Sequence, residues 1–234
     1  MKRTEPILSL FFHNYYGRDQ EWLTYFSSRL AFPYNLLYNG AAGSYHRKKA
    51  SAAPGLFDTK DGAGGRRIFR EAPNKGKDIG GKLVLMDAYL KLGIKSDYIL
   101  LLHDKHSPYH SNQEQWQKEL FRIVDKDYQG RVIETFRTDS GVGIVAAQNA
   151  IRNESDNDQG RDAYTESGFI TALMDKYGIR PPGYQYVAGT MFWVRASLYE
   201  SFFTAHHPLE IRKTLEEGNV LDHDQPTHTH AWER

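Results

Sequence analysis

Tyr98-Ile99-Leu100-Leu101-Leu102-His103-Asp104-Lys105-His106-Ser107-Pro108 is the stretch whose reading decides the fold. Its first half is apolar without alternation, as a strand covered on both faces of a sheet requires. Its second half turns polar at once. In open α/β sheets ligands bind beyond the carboxyl ends of the strands, so His103, Asp104 and Lys105 are candidate ligand contacts. Asp104 with a flanking histidine suits a divalent cation. Lys105 suits a diphosphate, as a point charge. A helix cap and a solvated turn is the competing reading, and it explains less well why four polar groups crowd one apolar strand end.

Working outward, short β-type runs alternate with amphipathic stretches. Residues 7–12, 35–38, 67–70 and 142–147 read as strands, the last as another buried one, and 186–194 reads as one long strand. Helical periodicity covers 19–30, 79–92, 112–124, 163–177, 196–203 and 207–217. A loop rich in Gly, Ala and Ser spans 39–65 and carries the basic run 46–49, best taken as solvated. Residues 153–161 read as a polar loop. No internal repeat is visible. Strands alternating with helices predict an α/β fold: one central, mostly parallel sheet flanked by helices, with 98–102 among its inner strands. The length, 234 residues, fits a single domain over 1–234.

Lys plus Arg number 30 and Asp plus Glu 29, a net charge of +1, so nothing global attracts nucleic acid, and none is expected as a partner. The chain has no cysteine, which excludes disulfides and thiolate metal sites. The apolar run 7–12 is too short for a signal peptide or a membrane span. These features predict a cytoplasmic protein, with association at the inner face of the membrane left open. The 15 Tyr, 12 Phe and 4 Trp could offer faces to sugar rings, although ordinary packing accounts for most of them.

Three further stretches carry chemistry. In 73–81, Pro-Asn-Lys-Gly-Lys-Asp-Ile-Gly-Gly, glycines precede a helix. Close backbone approach, a helix N-terminus and two lysines suit an anion, and Asp78 suits ribose or sugar hydroxyls. A turn with Asp78 as cap is an equal reading. In 187–195, Val-Ala-Gly-Thr-Met-Phe-Trp-Val-Arg, Trp193 offers a stacking face and Arg195 a fixed charge, against the alternative of a core strand ending in a surface arginine. In the tail, Asp222, His223, Asp224, His228 and His230 crowd together, as a metal or general-base site would need. His228-Thr229-His230 lacks the spacing of a zinc hydrolase.

Taken in order, these motifs resemble the rhamnan synthesis protein F family of bacterial polysaccharide and lipopolysaccharide enzymes. The likeness rests on Asn74 to Gly80, His103 to Ser107, Ala188 to Arg195 and His230 to Arg234. Strand, Asn-x-Gly, helix, strand and an acidic tip is also the order of GT-A glycosyltransferases. The tip reads His-Asp-Lys where many relatives carry Thr, and the spacing from Asp224 to His230 is one residue longer than the family's.

The resemblance implies a GT-A-like, Rossmann-related fold. It further implies transfer of a sugar, rhamnose among the candidates, from a nucleoside-diphosphate donor to a glycan or lipid-linked glycan acceptor. Asn74, Gly76, Asp78, His103, Asp104 and Lys105 would bind the donor. Trp193 and Arg195 would position the acceptor, and Asp224 would be the base of an inverting reaction. A divalent metal, Mg or Mn, would sit on Asp104 and His230. Asn74, Asp78 and His103 to Lys105 should then converge on one cleft, with the Asp78 and Asp104 carboxyls on the same side of the sheet. A non-catalytic carbohydrate-binding or scaffold protein is the alternative.

Overall fold

The structure is a computed structural model, and it describes residues 5–41, 57–60, 65–104, 113–153, 168–181, 183, 185–219 and 227–234. Its centre is a seven-stranded mixed sheet. In chain order the strands are β1 (Leu8–His13), β2 (Tyr34–Ala41), β3 (Phe57–Lys60), β4 (Arg66–Ala72), β5 (Tyr98–His103), β6 (Ile144–Ala146) and, after a separate two-stranded sheet, β9 (Phe192–Arg195). That small sheet pairs β7 (Ile151–Asn153) antiparallel with β8 (Gln185–Val187).

The spatial order is β3-β4-β2-β1-β5-β9-β6. Strands β4, β2, β1 and β5 run parallel. Strand β9 is antiparallel to both β5 and β6, so β6 shares the common direction, and only β3 and β9 oppose it. The architecture is α/β with a mostly parallel sheet flanked by helices. All six residues of β5 are buried, with neighbours on both edges, as its continuous apolarity requires.

Alternation along the strands builds two apolar layers. Leu8, Leu10, Phe12, Leu36, Leu100 and Leu102 face one layer. There they meet helices α1 (Asp19–Arg29), α3 (Gln113–Phe121) and α4 (Lys126–Thr138) through Phe26, Leu120 and Phe136. Phe11, Leu37, Ile99 and Leu101 face the other. It is closed by α2 (Lys77–Lys91) through Leu85, Met86 and Tyr89, and by Phe203 of the helix that follows β9, Ala196–Ala205. Helix α5 (Phe169–Tyr177) precedes that helix, which is α6; α7 (Pro208–Lys213) and α8 (His228–Glu233) complete the set.

Several boundaries differ from the sequence reading. Strand β6 is not buried: it ends the sheet, and Ile144 stands exposed. The expected long strand 186–194 is two strands, because Gly189 (φ 79°) and Thr190 (φ 50°) adopt left-handed backbone and turn the chain between them. Helix α4 went unread because it opens on the polar run Lys-Asp-Tyr-Gln-Gly, and its apolar side chains in the core are just Val132, Ile133 and Phe136. Strand β3 lies within the stretch taken as loop, and 207–217 holds only the short α7. Among the described residues, no helix is long and apolar enough to cross a membrane.

Candidate functional site

The site begins with a row of polar residues at the carboxyl edge of the sheet. Asn39, His13 and His103 are in register across β2, β1 and β5, and all three are buried on the α2 side. His13 Nδ1 lies 2.9 Å from Asn39 Oδ1, and Asn39 Nδ2 donates to Gly81 O at 2.8 Å. Because the amide oxygen can only accept, His13 carries its proton on Nδ1. This chain of bonds ties the start of α2 to the strand ends.

Gly80 and Gly81 make that approach close. A Cβ on Gly81 would stand 2.2 Å from His13 Nδ1, and one on Gly80 would stand 1.7 Å from Lys75 O. Gly76, in left-handed backbone, packs against Leu215 in the same way. These glycines serve the approach of chain to chain. The anion-binding role expected of Gly76 therefore competes with a packing role that the contacts already explain.

Asp78, one residue into α2, faces Lys82 one turn later. Lys82 Nζ donates to Asp78 Oδ2 at 3.0 Å, to Thr190 O at 2.7 Å and to Thr190 Oγ1 at 2.6 Å. All three ammonium protons are thus used. The Thr190 hydroxyl donates in turn to Asp78 Oδ2. Burial alone would raise the Asp78 carboxyl, but Lys82, His103 and the Thr190 hydroxyl outweigh it and hold the group well below the usual carboxylate range. Burial pulls the Lys82 ammonium down, with Asp78 opposing.

His103 Nε2 lies 2.9 Å from Gly189 O and 3.9 Å from Asp78 Oδ2. A carbonyl only accepts, so Nε2 holds the proton. Burial lowers this imidazole to about 4 against the pull of Asp78, so it is neutral near pH 7. Its buried Nδ1 has no hydrogen-bond partner among the described residues.

Glu233, from α8, closes the cluster. Its Oε1 accepts the Gly189 amide at 2.8 Å. Burial raises this carboxyl, the Gly189 amide opposes, and Asp78 raises it further. Glu233, Lys82 and Thr190 line a cleft of about 790 Å³ between α2, α6, α8 and the β7–β8 sheet. That volume lies in the usual range of small-molecule sites.

Asp78 and His103 therefore come together, but the composite donor site does not form as expected. Asp104 turns away from α2. Its carboxylate accepts the Tyr15 amide at 2.6 Å and the Tyr16 amide at 3.2 Å, beside Arg18 and Trp22 of the α1 side. Burial, opposed by those two amides, raises it to about 6. Hence the Asp78 and Asp104 carboxyls serve opposite sides of the sheet. Asn74 is elsewhere again, its Nδ2 on Asn219 Oδ1 at 3.1 Å.

The residues expected to hold a metal have other partners. His230 sits between Lys77 Nζ, 3.0 Å from its Nε2, and Thr227 Oγ1, 2.6 Å from its Nδ1. An ammonium at the ring repels a cation, and Asp104 spends its oxygens on backbone amides. Among the described residues, no cluster of three metal-ligating side chains occurs.

Comparison with known proteins adds no relative. No family model matches the chain, and neither does a curated protein or a solved structure.

The acceptor assignments fall to packing. Trp193 is wholly buried in the α3–α4 layer, with Nε1 donating to Ile123 O at 3.0 Å, so it has no face to give a sugar. Arg195 donates to Val142 O, Phe136 O and Asp139 O and stacks on Phe136, holding α4 to β6. Lys105 and Asp224 lie outside the described residues. Sequence reading passed over Lys82, Thr190 and Glu233. The i, i+4 spacing of Asp78 and Lys82 was the available signal for the first. Thr190 and Glu233 stood inside quoted stretches, where bulkier neighbours drew the attention.

Proposed function

We propose that the chain is a glycosyltransferase of GT-A-like architecture that moves a sugar from a nucleoside diphosphate to a hydroxyl-bearing glycan acceptor, with Glu233 as the general base. The observation that carries this reading is Glu233 itself. It is a half-buried carboxyl oriented by the Gly189 amide, on the wall of a ligand-sized cleft beside Lys82 and Thr190. A carboxyl raised by burial is a stronger base toward a hydroxyl proton than an ordinary one. The acceptor hydroxyl attacks the anomeric carbon, the bond from that carbon to the diphosphate oxygen breaks, and the hydroxyl proton passes to Glu233. Sheet order supports the reading by analogy of fold. Lys105, two residues beyond His103 in sequence, keeps its assignment to the leaving diphosphate as part of this proposal.

The direct test is release of nucleoside diphosphate from a panel of nucleotide sugars, with and without glycan acceptor. Acceptor-dependent release supports the proposal; no release from any donor contradicts it. One observation favours a second reading, a non-catalytic carbohydrate-binding protein. Cations expected to meet the diphosphate have internal partners: Lys75 pairs with Glu217 at 2.9 Å, and Lys77 meets His230. That reading predicts glycan binding without turnover.

A further inference from the structure

We infer that the cleft beside Glu233 takes an amphiphilic acceptor, with its hydroxyl-bearing head at the Lys82–Glu233 corner and a hydrocarbon chain along the groove. The inference rests on the reading of the site as one for sugar transfer, and names the class of acceptor it serves. Its basis is where the exposed apolar side chains stand. Among the described residues the large hydrophobics left exposed are Ile144 (46%), Ile151 (46%), Ile179 (39%) and Leu198 (49%). All four line this one cleft. They come from β6, β7, the segment after α5, and α6, so no single amphipathic element accounts for them.

The occupant follows from the chemistry of the wall. Lys82, Thr190 and Glu233 are mutually close where the Gly189–Thr190 turn meets α2 and α8, and Arg234 follows Glu233. Most of the remaining wall is aliphatic or aromatic carbon. A free oligosaccharide or a peptide laid there would leave hydroxyls or backbone amides without partners, at a desolvation cost. A hydrocarbon chain needs no partners and removes the exposed isoleucines and leucine from water. Continuity of the groove with the polar corner places the head group at the proposed base.

The test uses the full chain and a series of methyl, butyl, hexyl and octyl β-glucosides, each below its critical micelle concentration, by calorimetric titration. Affinity should rise by roughly three- to four-fold for each methylene buried. Replacing Leu198→Glu or Ile144→Glu, both exposed positions, should weaken octyl glucoside by about tenfold or more. An affinity independent of chain length overturns the inference, as does octyl binding untouched by both variants. A third adverse outcome is a dimer in sedimentation that Leu198→Glu dissolves while no alkyl glucoside binds, which makes the groove a face between copies. No donor enters this titration. Failure here therefore leaves sugar transfer standing, and failure of donor turnover leaves amphiphile binding standing.

Discussion

Lys82 and His103 make the site a device set by burial. Lys82 reaches Asp78 and both oxygens of Thr190, so a residue in left-handed backbone is pinned to α2 by one ammonium. The same turn presents Gly189 to His103 through its carbonyl and to Glu233 through its amide. A pH consequence follows for His103. Its imidazole is lowered from 6.5 to about 4, so the stability it contributes is present above pH 6.5 and lost as pH falls through about 4. Replacing His103→Gln keeps a donor for Gly189 O and removes the titration. Urea unfolding between pH 7 and pH 4 should then show a smaller loss of stability in the variant, by up to about 3 kcal/mol. Equal losses in both proteins would show that this imidazole does not titrate in that window. Asp104 works in the opposite sense. Its carboxyl is raised to about 6, so its contribution is present below its unfolded value and is lost as pH rises through 6.

Helix α2 is the element on which the site turns, and its beginning was only half legible. The run 73–81 announces a helix start with glycines, two lysines and an aspartate, and those residue types suit an anion as well as they suit close packing. What decides between them is distance, which sequence does not carry: the Cβ that Gly80 lacks would fall 1.7 Å from a backbone oxygen. Replacing Gly80→Ala should destabilise the fold by about 1–3 kcal/mol through that overpacking, seen as a lower urea midpoint. An unchanged midpoint would mean that α2 shifts freely at its start, and the tie to His13 would lose its meaning. Strand β5 was fully legible because two-sided burial writes an unbroken apolar run. Trp193 was misread for the same reason in reverse: β9 lies between β5 and β6, so its aromatic residue enters the core, and nothing local distinguishes a stacking face from a packed one.

At the scale of the molecule, the sheet brings residues far apart in sequence to one carboxyl edge. Asp78, His103, Thr190 and Glu233 meet there because α2 and β5 are successive, β9 inserts beside β5, and α8 returns across α2. The α/β class and the inner place of β5 were legible from alternation and apolarity. The division of labour between the two sides of the edge was not. It depends on Asp104 being spent on the β1–α1 turn, a tertiary contact that its neighbours in sequence do not reveal. The central claim is that Glu233 takes the acceptor's proton. Gln at 233 keeps an oxygen for the Gly189 amide and loses the base, so it separates chemistry from folding. The decisive measurement is the initial rate of acceptor-dependent nucleoside diphosphate release by the parent and by Glu233→Gln, with urea midpoints taken alongside. The account predicts a rate lowered by about a hundred- to ten-thousand-fold at a nearly unchanged midpoint. A variant that turns over as fast as the parent would contradict it.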